Sequence, residues 1–231
     1  MPKHLVFLAI ATCACAQQTI FNVPSADIAV KNDWFYQHQT VVRAWDGQRR
    51  WVQTNAFGYG IGHFLELDTT WYNLEPHHLK QSAASVGFKF SLPLREESRR
   101  WPLKLVAGDM VEFRDRSETP QLRSLHEGNW GYLMLFTELP KSHTRITAGG
   151  STGTQILFGR KEAGFLGGVE QPLSDRWVFQ LDWFSGHHDL AYWIPGVVYR
   201  FTTHWMVSLG YQVPNRPTGG FQGVVFELTR F

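Results

Sequence analysis

The sequence of 231 residues contains only two cysteines, Cys13 and Cys15, and both lie close to its start. Disulfides, which many secreted domains use for stability, therefore play no part in the rest of the chain. No apolar run reaches the roughly 20 residues that a transmembrane helix needs. Charge of one sign is also scarce, because the formal net charge is only +2. Without a long basic run, this composition argues against nucleic-acid binding.

The first 16 residues have the parts of a secretion signal. A short basic start and a short apolar run precede the small residues 14–16. This order is typical of a cleaved signal peptide, so we predict one over residues 1–16. In the alternative, Cys13 or Cys15 carries a lipid; Thr12, just before Cys13, is a poor fit to that alternative.

Aromatic residues are plentiful, at 15 % of the chain, although the mean hydropathy is slightly negative, at −0.24. Behind the leader, segments of roughly ten residues alternate apolar with polar side chains, which is the period of a β-strand. In one of them, Trp205, Val207 and Leu209 share a face opposite Met206 and Ser208. The predicted strands are 33–44, 51–60, 64–73, 82–92, 102–113, 128–137, 144–152, 163–171, 176–185, 191–201, 204–213 and 221–231.

No helical segment separates these strands, so the pattern predicts an all-β fold in which one sheet closes on itself. With aromatics near strand ends and a leader in front, we predict a single antiparallel up-and-down transmembrane β-barrel of about twelve strands. Ten or fourteen strands are alternatives, and a secreted β-sandwich is the architectural rival. The predicted organisation is a signal peptide over 1–16, a periplasmic or plug-like segment over 17–32, and an outer-membrane barrel over 33–231.

The connections between the predicted strands differ in length. Those near 61–63, 172–175 and 202–203 are short, whereas those near 114–127 and 153–162 are long. Short periplasmic turns and longer outer loops are typical of bacterial barrels, so we expect both termini on the periplasmic side. The connection 93–101 is an exception.

Two positions fit the alternation poorly. His38 shares a face with Trp34 and Tyr36, which would expose an imidazole to lipid. Pro195 lies inside the tenth strand, where it removes a ladder hydrogen bond and predicts a bulge or the end of the embedded part.

The last strand, 221–231, ends in Phe231 behind alternating apolar positions. It resembles the terminal strand of bacterial outer-membrane β-barrel proteins. The resemblance implies that Phe221, Val225 and Phe231 form the signal read by the barrel-assembly machinery during insertion. Glu227 and Thr229 depart from the pattern, and a bulge would reconcile the two faces. Such a barrel would be exported to the outer membrane of a Gram-negative bacterium, with membrane lipid as its surroundings.

Residues opposite the apolar faces should point into the lumen, and they carry both charge signs. Buried charges must be paired or face water. The leading prediction is therefore a narrow, porin-like channel for small polar solutes, and the alternative is a closed structural or binding barrel that presents its outer loops. The predicted lumen-lining residues are Gln37, Gln39, Arg43, Glu66, Asp68, Lys89, Lys104, Arg145, Glu170, Gln180, Asp182 and Gln212.

A lipid-modifying enzyme is the third and least favoured hypothesis. His204 and Ser208 share a strand face but are too far apart for contact, and no serine–histidine pair has a spacing typical of a triad. The doublets His77-His78 and 187–188 are better explained as solvated loop histidines than as metal ligands, because neighbours on an extended chain point apart. We therefore predict no catalytic residue, no metal site and no cofactor.

Overall fold

The computed structural model describes residues 19–43, 50–75, 81–95, 101–114, 127–155, 163–186, 188, 191–215 and 222–231. Each strand pairs with its neighbours along the chain, and the last pairs with the first to close a twelve-stranded antiparallel barrel. The prediction of a closed barrel with about twelve strands is confirmed. The strands are β1 (Trp34–Arg43), β2 (Arg50–Gly60), β3 (Leu65–Glu75), β4 (Gln81–Arg95), β5 (Leu103–Arg114), β6 (Glu127–Glu138), β7 (Arg145–Gly153), β8 (Ala163–Pro172), β9 (Trp177–Phe184), β10 (Tyr192–Arg200), β11 (Trp205–Pro214) and β12 (Gly223–Arg230).

The period-two pattern in the sequence becomes an alternation of burial along the strands. In β11, Met206 and Ser208 are buried, whereas Leu209 is 53 % exposed. In β9, Val178 and Gln180 are likewise buried between more exposed neighbours. Side chains of one parity therefore point into the barrel, and those of the other parity form its outer surface.

Aromatic side chains on the outer surface gather at two levels. The rings of Trp177 and Tyr199 lie 4.8 Å apart near one end of β9, and those of Trp183 and Trp193 lie 5.2 Å apart near the other. At about 3.3 Å per residue, these two levels are separated by roughly 20 Å along the strand. Aromatic side chains at two levels of the outer surface are typical of the two girdles of a membrane barrel.

The predicted irregularities are absent from β10 and β12. Pro195 faces outward opposite Leu181 of β9, and β10 keeps one register with β11 on both sides of it, so the predicted bulge at Pro195 is wrong. Both neighbours of β12 also pair with it in unbroken register. A register shift lies instead between Pro93 and Arg95 of β4. This strand thus continues into residues that the sequence predicted as the turn 93–101.

The described turns at one end of the barrel are short. Residues 61–64, 173–176 and 201–204 link consecutive strands, and β1 begins and β12 ends at this same rim. Most of the predicted connections near 45–50 and 114–127, namely residues 45–49 and 115–126, lie outside the described residues.

In the described part of the chain, no helix is long and apolar enough to cross a membrane.

The face assignment predicts how arginine is tolerated at two leucines. In phospholipid vesicles, Leu209→Arg should lower the free energy of unfolding by about 2–4 kcal/mol, because Leu209 lies midway along the outward face of β11. Leu173→Arg, in the turn between β8 and β9, should cost about 0–1 kcal/mol. Denaturant unfolding measures both. Equal costs at the two positions would contradict the assignment.

Candidate functional site

The twelve residues predicted to line the lumen all occupy inward-facing strand positions. Seven are buried: Gln37, Glu66, Lys89, Glu170, Gln180, Asp182 and Gln212. The other five are partly buried: Gln39, Arg43, Asp68, Lys104 and Arg145.

The structure brings some of these residues together as ion pairs. Lys89 Nζ lies 3.1 Å from Glu66 Oε1, and both side chains are buried. Arg145 Nη1 lies 3.2 Å from Glu170 Oε2, and Gln180 donates to Glu170 Oε1 over 3.1 Å. Charges of opposite sign therefore compensate one another across neighbouring strands, as a closed interior requires.

Residues 19–31, which we call the lumen segment, precede β1; the part up to Ala29 lies inside the barrel, and Val30 and Lys31 are exposed at its rim. Asn32 adopts a left-handed backbone conformation, with φ of 65°, where the chain reverses into β1. Its N–H donates to the Gly60 carbonyl, and Gly60 donates back to Asp33. A side chain at Gly60 would collide with the carbonyls of Ala29 and Val30, so only glycine permits this close approach.

One lumen carboxylate captures three consecutive backbone groups of the lumen segment. Asp182 Oδ2 accepts hydrogen bonds from the N–H groups of Phe21, Asn22 and Val23, at 3.1, 2.6 and 3.0 Å. Successive N–H groups that converge in this way form an anion-binding concavity, or nest. Because the acceptor is charged, each bond is stronger than one between neutral groups.

Further polar contacts fasten the lumen segment closer to the rim. Arg145 Nη2 donates to Asp27 Oδ2 over 2.6 Å, so this guanidinium joins the lumen segment to Glu170 of the wall. Ser91 Oγ donates to the Ala26 carbonyl over 2.7 Å. The Ala29 N–H donates to Glu66, the partner of Lys89. Each of these two ion pairs of the wall therefore also binds one residue of the lumen segment.

Apolar side chains of the lumen segment complete two clusters on different parts of the wall. Ile20 and Phe21 pack with Val41, Ile194 and Val225, whereas Val23 and Ala26 join a cluster formed by β5, β6, β8 and β9. A side chain on Gly196 or Gly210 would meet the Phe21 ring at 2.5 or 2.9 Å. The two glycines thus leave the space that this ring fills.

The sequence interpretation missed several residues that take part in these contacts. Glu227 is fully buried, and its Oε1 accepts hydrogen bonds from Gln37 at 2.8 Å and Gln39 at 2.9 Å. Its mismatch with an apolar terminal-strand pattern was the available signal, since an acidic residue at that parity indicates the lumen. Ser91 and Asp27 had no distinguishing signal, because their partners are remote in sequence.

The predicted assembly residues lie in different surroundings. Val225 is completely buried in the lumen, and Phe231 packs beside Val178, Val198 and Met206. Phe221 lies outside the described residues. The outer surface of β12 is formed instead by Phe226 and the residues two positions away from it on either side.

The two described histidines among those considered in the sequence for catalysis or metal binding, His188 and His204, lie in separate turns. His204 Nδ1 is 3.2 Å from the Phe231 carbonyl in the short turn, whereas Ser208 is buried in the lumen. His188 bonds to the Ser185 carbonyl at 3.0 Å. His77, His78 and His187 lie outside the described residues, and among those described no group of three potential ligands could hold a metal ion.

Comparison with known proteins places the fold. No family model matches the sequence, and no curated protein matches it either. A KdgM porin superposes with a TM-score of 0.62 at 8 % identity, covering 85 % of this chain and 98 % of that one. The Acinetobacter baumannii outer membrane protein Omp33 gives 0.52 at 8 % identity, covering 88 % and 100 %.

Outer membrane phospholipase A from Escherichia coli also superposes, with a TM-score of 0.52 at 12 % identity, covering 86 % of this chain and 92 % of that one. The chain therefore has the fold of the bacterial outer-membrane β-barrel proteins. Within that class it is a closed barrel of twelve antiparallel strands. At such low identities the likeness describes the fold alone.

The nest at Asp182 predicts how firmly the lumen segment is held. In a Cys13→Ser, Cys15→Ser background, a cysteine introduced by Val23→Cys should react slowly with a maleimide, because Val23 is fully buried. Asp182→Ala should accelerate labelling at least tenfold, since it leaves three N–H groups without their acceptor. Asp175→Ala, in the exposed turn after β8, is the matched control. Equal labelling in both variants would contradict the role of the nest.

Proposed function

We propose that the protein is a porin-like barrel of the bacterial outer membrane that passes small polar solutes when the lumen segment detaches from the barrel wall. While it stays bound to the wall, the lumen segment would close the path. The observation that carries this proposal is the attachment of residues 19–31, which bind a polar, charged wall through hydrogen bonds and ion pairs.

The chemistry of these contacts favours reversible seating. Water can replace the partners of Asp182, Glu66 and Arg145 once the lumen segment departs, so the wall left behind would be hydrated rather than exposed as a dry apolar surface. Charges of both signs would then line the opening, with Lys89 and Arg145 near Glu66 and Glu170. Such a wall suits small hydrophilic solutes without strong selection for one charge.

The superposed structures are compatible with transport. A KdgM porin in complex with disordered oligogalacturonate superposes with a TM-score of 0.56 at 8 % identity, covering 86 % of this chain and 98 % of that one. One porin of this fold therefore binds oligogalacturonate in a disordered form. For the present chain we propose only the general class of solute, small and polar.

Export and insertion complete the proposal. Residues 1–16 would be removed as a signal peptide, and the barrel-assembly machinery would recognise the last strand, including Phe221, Val225 and Phe231. Mass spectrometry of the protein recovered from outer membranes should then give a mature chain beginning at Gln17. Recovery of the intact leader would contradict this step.

A closed structural barrel is the second candidate, and the apolar packing of Ile20, Phe21 and Val23 favours it. If this packing is permanent, the lumen segment belongs to the core, and its removal would destabilise the barrel without creating a path. The two candidates therefore differ in what deletion of the lumen segment does.

Conductance measurements in planar bilayers separate them. The wild-type protein should show rare openings, deletion of residues 19–31 should give frequent discrete steps, and Asp182→Ala should lie between the two. Asp175→Ala should behave as wild type, because that turn does not contact the lumen segment. Gel electrophoresis of unheated samples verifies that each variant is a barrel, because a folded barrel resists the detergent and runs as a separate band. A silent but folded deletion variant would refute the channel, whereas wild-type conductance equal to that of the deletion variant would refute closure by the lumen segment.

A further inference from the structure

The outward face of β1 and β2 carries a group of hydrogen-bonded side chains on the opposite side of the sheet from the lumen. His38, on the parity that faces lipid, lies between a hydroxyl on its own strand and an amide on the next. His38 Nε2 is 3.0 Å from Thr40 Oγ1, and His38 Nδ1 is 2.8 Å from Asn55 Oδ1. The imidazole that fits the alternation poorly thus has a partner on each ring nitrogen.

The amide determines which ring nitrogen carries the proton. Asn55 Oδ1 is a carbonyl oxygen and can only accept, so Nδ1 must be the donor of that bond. In the neutral imidazole Nε2 then has the lone pair, and Thr40 donates its hydroxyl proton to it. Tyr36 also donates to Asn55 Oδ1, over 2.8 Å, so this oxygen has two partners.

A hydroxyl, an imidazole and an orienting acceptor in this order form the arrangement of an activated oxygen nucleophile. We propose that Thr40, His38 and Asn55 form an esterase site on the outer wall of the barrel, and that it hydrolyses long-chain acyl esters of membrane lipids. This activity is independent of the proposed channel, because the site and the lumen lie on opposite faces of the sheet.

The position of the site favours a lipid as the substrate. Thr40 pairs with Gln53, which lies two residues from the exposed Trp51 at the far end of β2. At about 3.3 Å per residue, the hydroxyl is roughly 7 Å along the strand from that aromatic level, where the headgroup region of a bilayer begins. The acyl chain of a lipid lying along this wall would place its ester near Thr40.

The register also supplies a donor for the negative charge that develops on the carbonyl oxygen. Gln53 lies directly opposite Thr40, and paired positions on one sheet face have Cβ atoms about 4.5–5.5 Å apart. Its side-chain amide can donate to an oxyanion formed at Thr40, which is the role of a donor in an oxyanion hole.

The reaction balances with water as the only co-reactant. Thr40 Oγ1 attacks the ester carbonyl carbon and transfers its proton to His38 Nε2. The bond between the carbonyl carbon and the alkoxy oxygen breaks, the leaving alcohol takes the proton from His38, and an acyl-threonine ester remains. Water then attacks that ester, gives its proton to His38, and releases the fatty acid while Thr40 recovers its proton.

Hydrolysis by the full barrel in mixed micelles of detergent and phosphatidylethanolamine tests the proposal. The wild-type protein should release fatty acid, and Thr40→Ala and His38→Ala should each lower the rate at least a hundredfold. Thr69→Ala, which removes an outward hydroxyl that donates to a backbone carbonyl, and His63→Ala, in an exposed turn, should stay within twofold of wild type. No release by wild type, or an unchanged rate in Thr40→Ala, would overturn the proposal.

Two conservative variants separate catalysis from folding. Thr40→Ser should keep turnover and should form a covalent adduct at position 40 with a long-chain alkyl fluorophosphonate, as fluoride leaves; adding His38→Ala should abolish that adduct. Asn55 is a positioning residue, so Asn55→Ala should slow hydrolysis at least tenfold. Asn55→Asp should retain turnover, because a carboxylate oxygen can accept the same proton from His38 Nδ1. An unlabelled but folded Thr40→Ser variant would refute the nucleophile.

Discussion

The carboxylate of Asp182 is buried in a closed barrel, and an ion in such a place must be compensated by donors. The donors that compensate it do not come from the wall. They are the three backbone N–H groups of residues 21–23. The same constraint recurs at Glu66 and at the Arg145–Glu170 pair, where residues 29 and 27 complete the partners. The lumen segment is thus part of the charge balance of the wall.

This dependence links the sheet to the proposed function. Because strand parity places polar side chains in the lumen, the interior has to be filled by water, by ligand or by more protein. Residues 19–31 occupy it through contacts that water can replace, and they add apolar packing around Phe21 and Val23. The outer surface follows the opposite logic. There an imidazole among lipid-facing residues must satisfy both ring nitrogens, and Thr40 and Asn55 do so in an order that also creates a general base.

The sequence was informative wherever the relevant pattern is local. Alternation along β9 and β11 predicted both strands and their inward residues, because parity depends only on neighbouring positions. It gave no account of the groups bound to Asp182, since Phe21 is 161 residues away and only closure of the barrel brings the two together. The Thr40–His38–Asn55 group was missed for a different reason. Its hydroxyl belongs to a threonine two residues from the histidine rather than to a serine, and only the pairing of β1 with β2 adds the amide.

Amide hydrogen exchange at Phe21, Asn22 and Val23 tests the central claim most directly. If these N–H groups are bound to Asp182 inside the lumen, they should exchange orders of magnitude more slowly than in an unstructured peptide, and Asp182→Ala should remove much of that protection while the strands keep theirs. Exchange at peptide-like rates in the folded wild-type barrel would contradict the account, because the lumen segment would then lie outside the interior that it is described as filling.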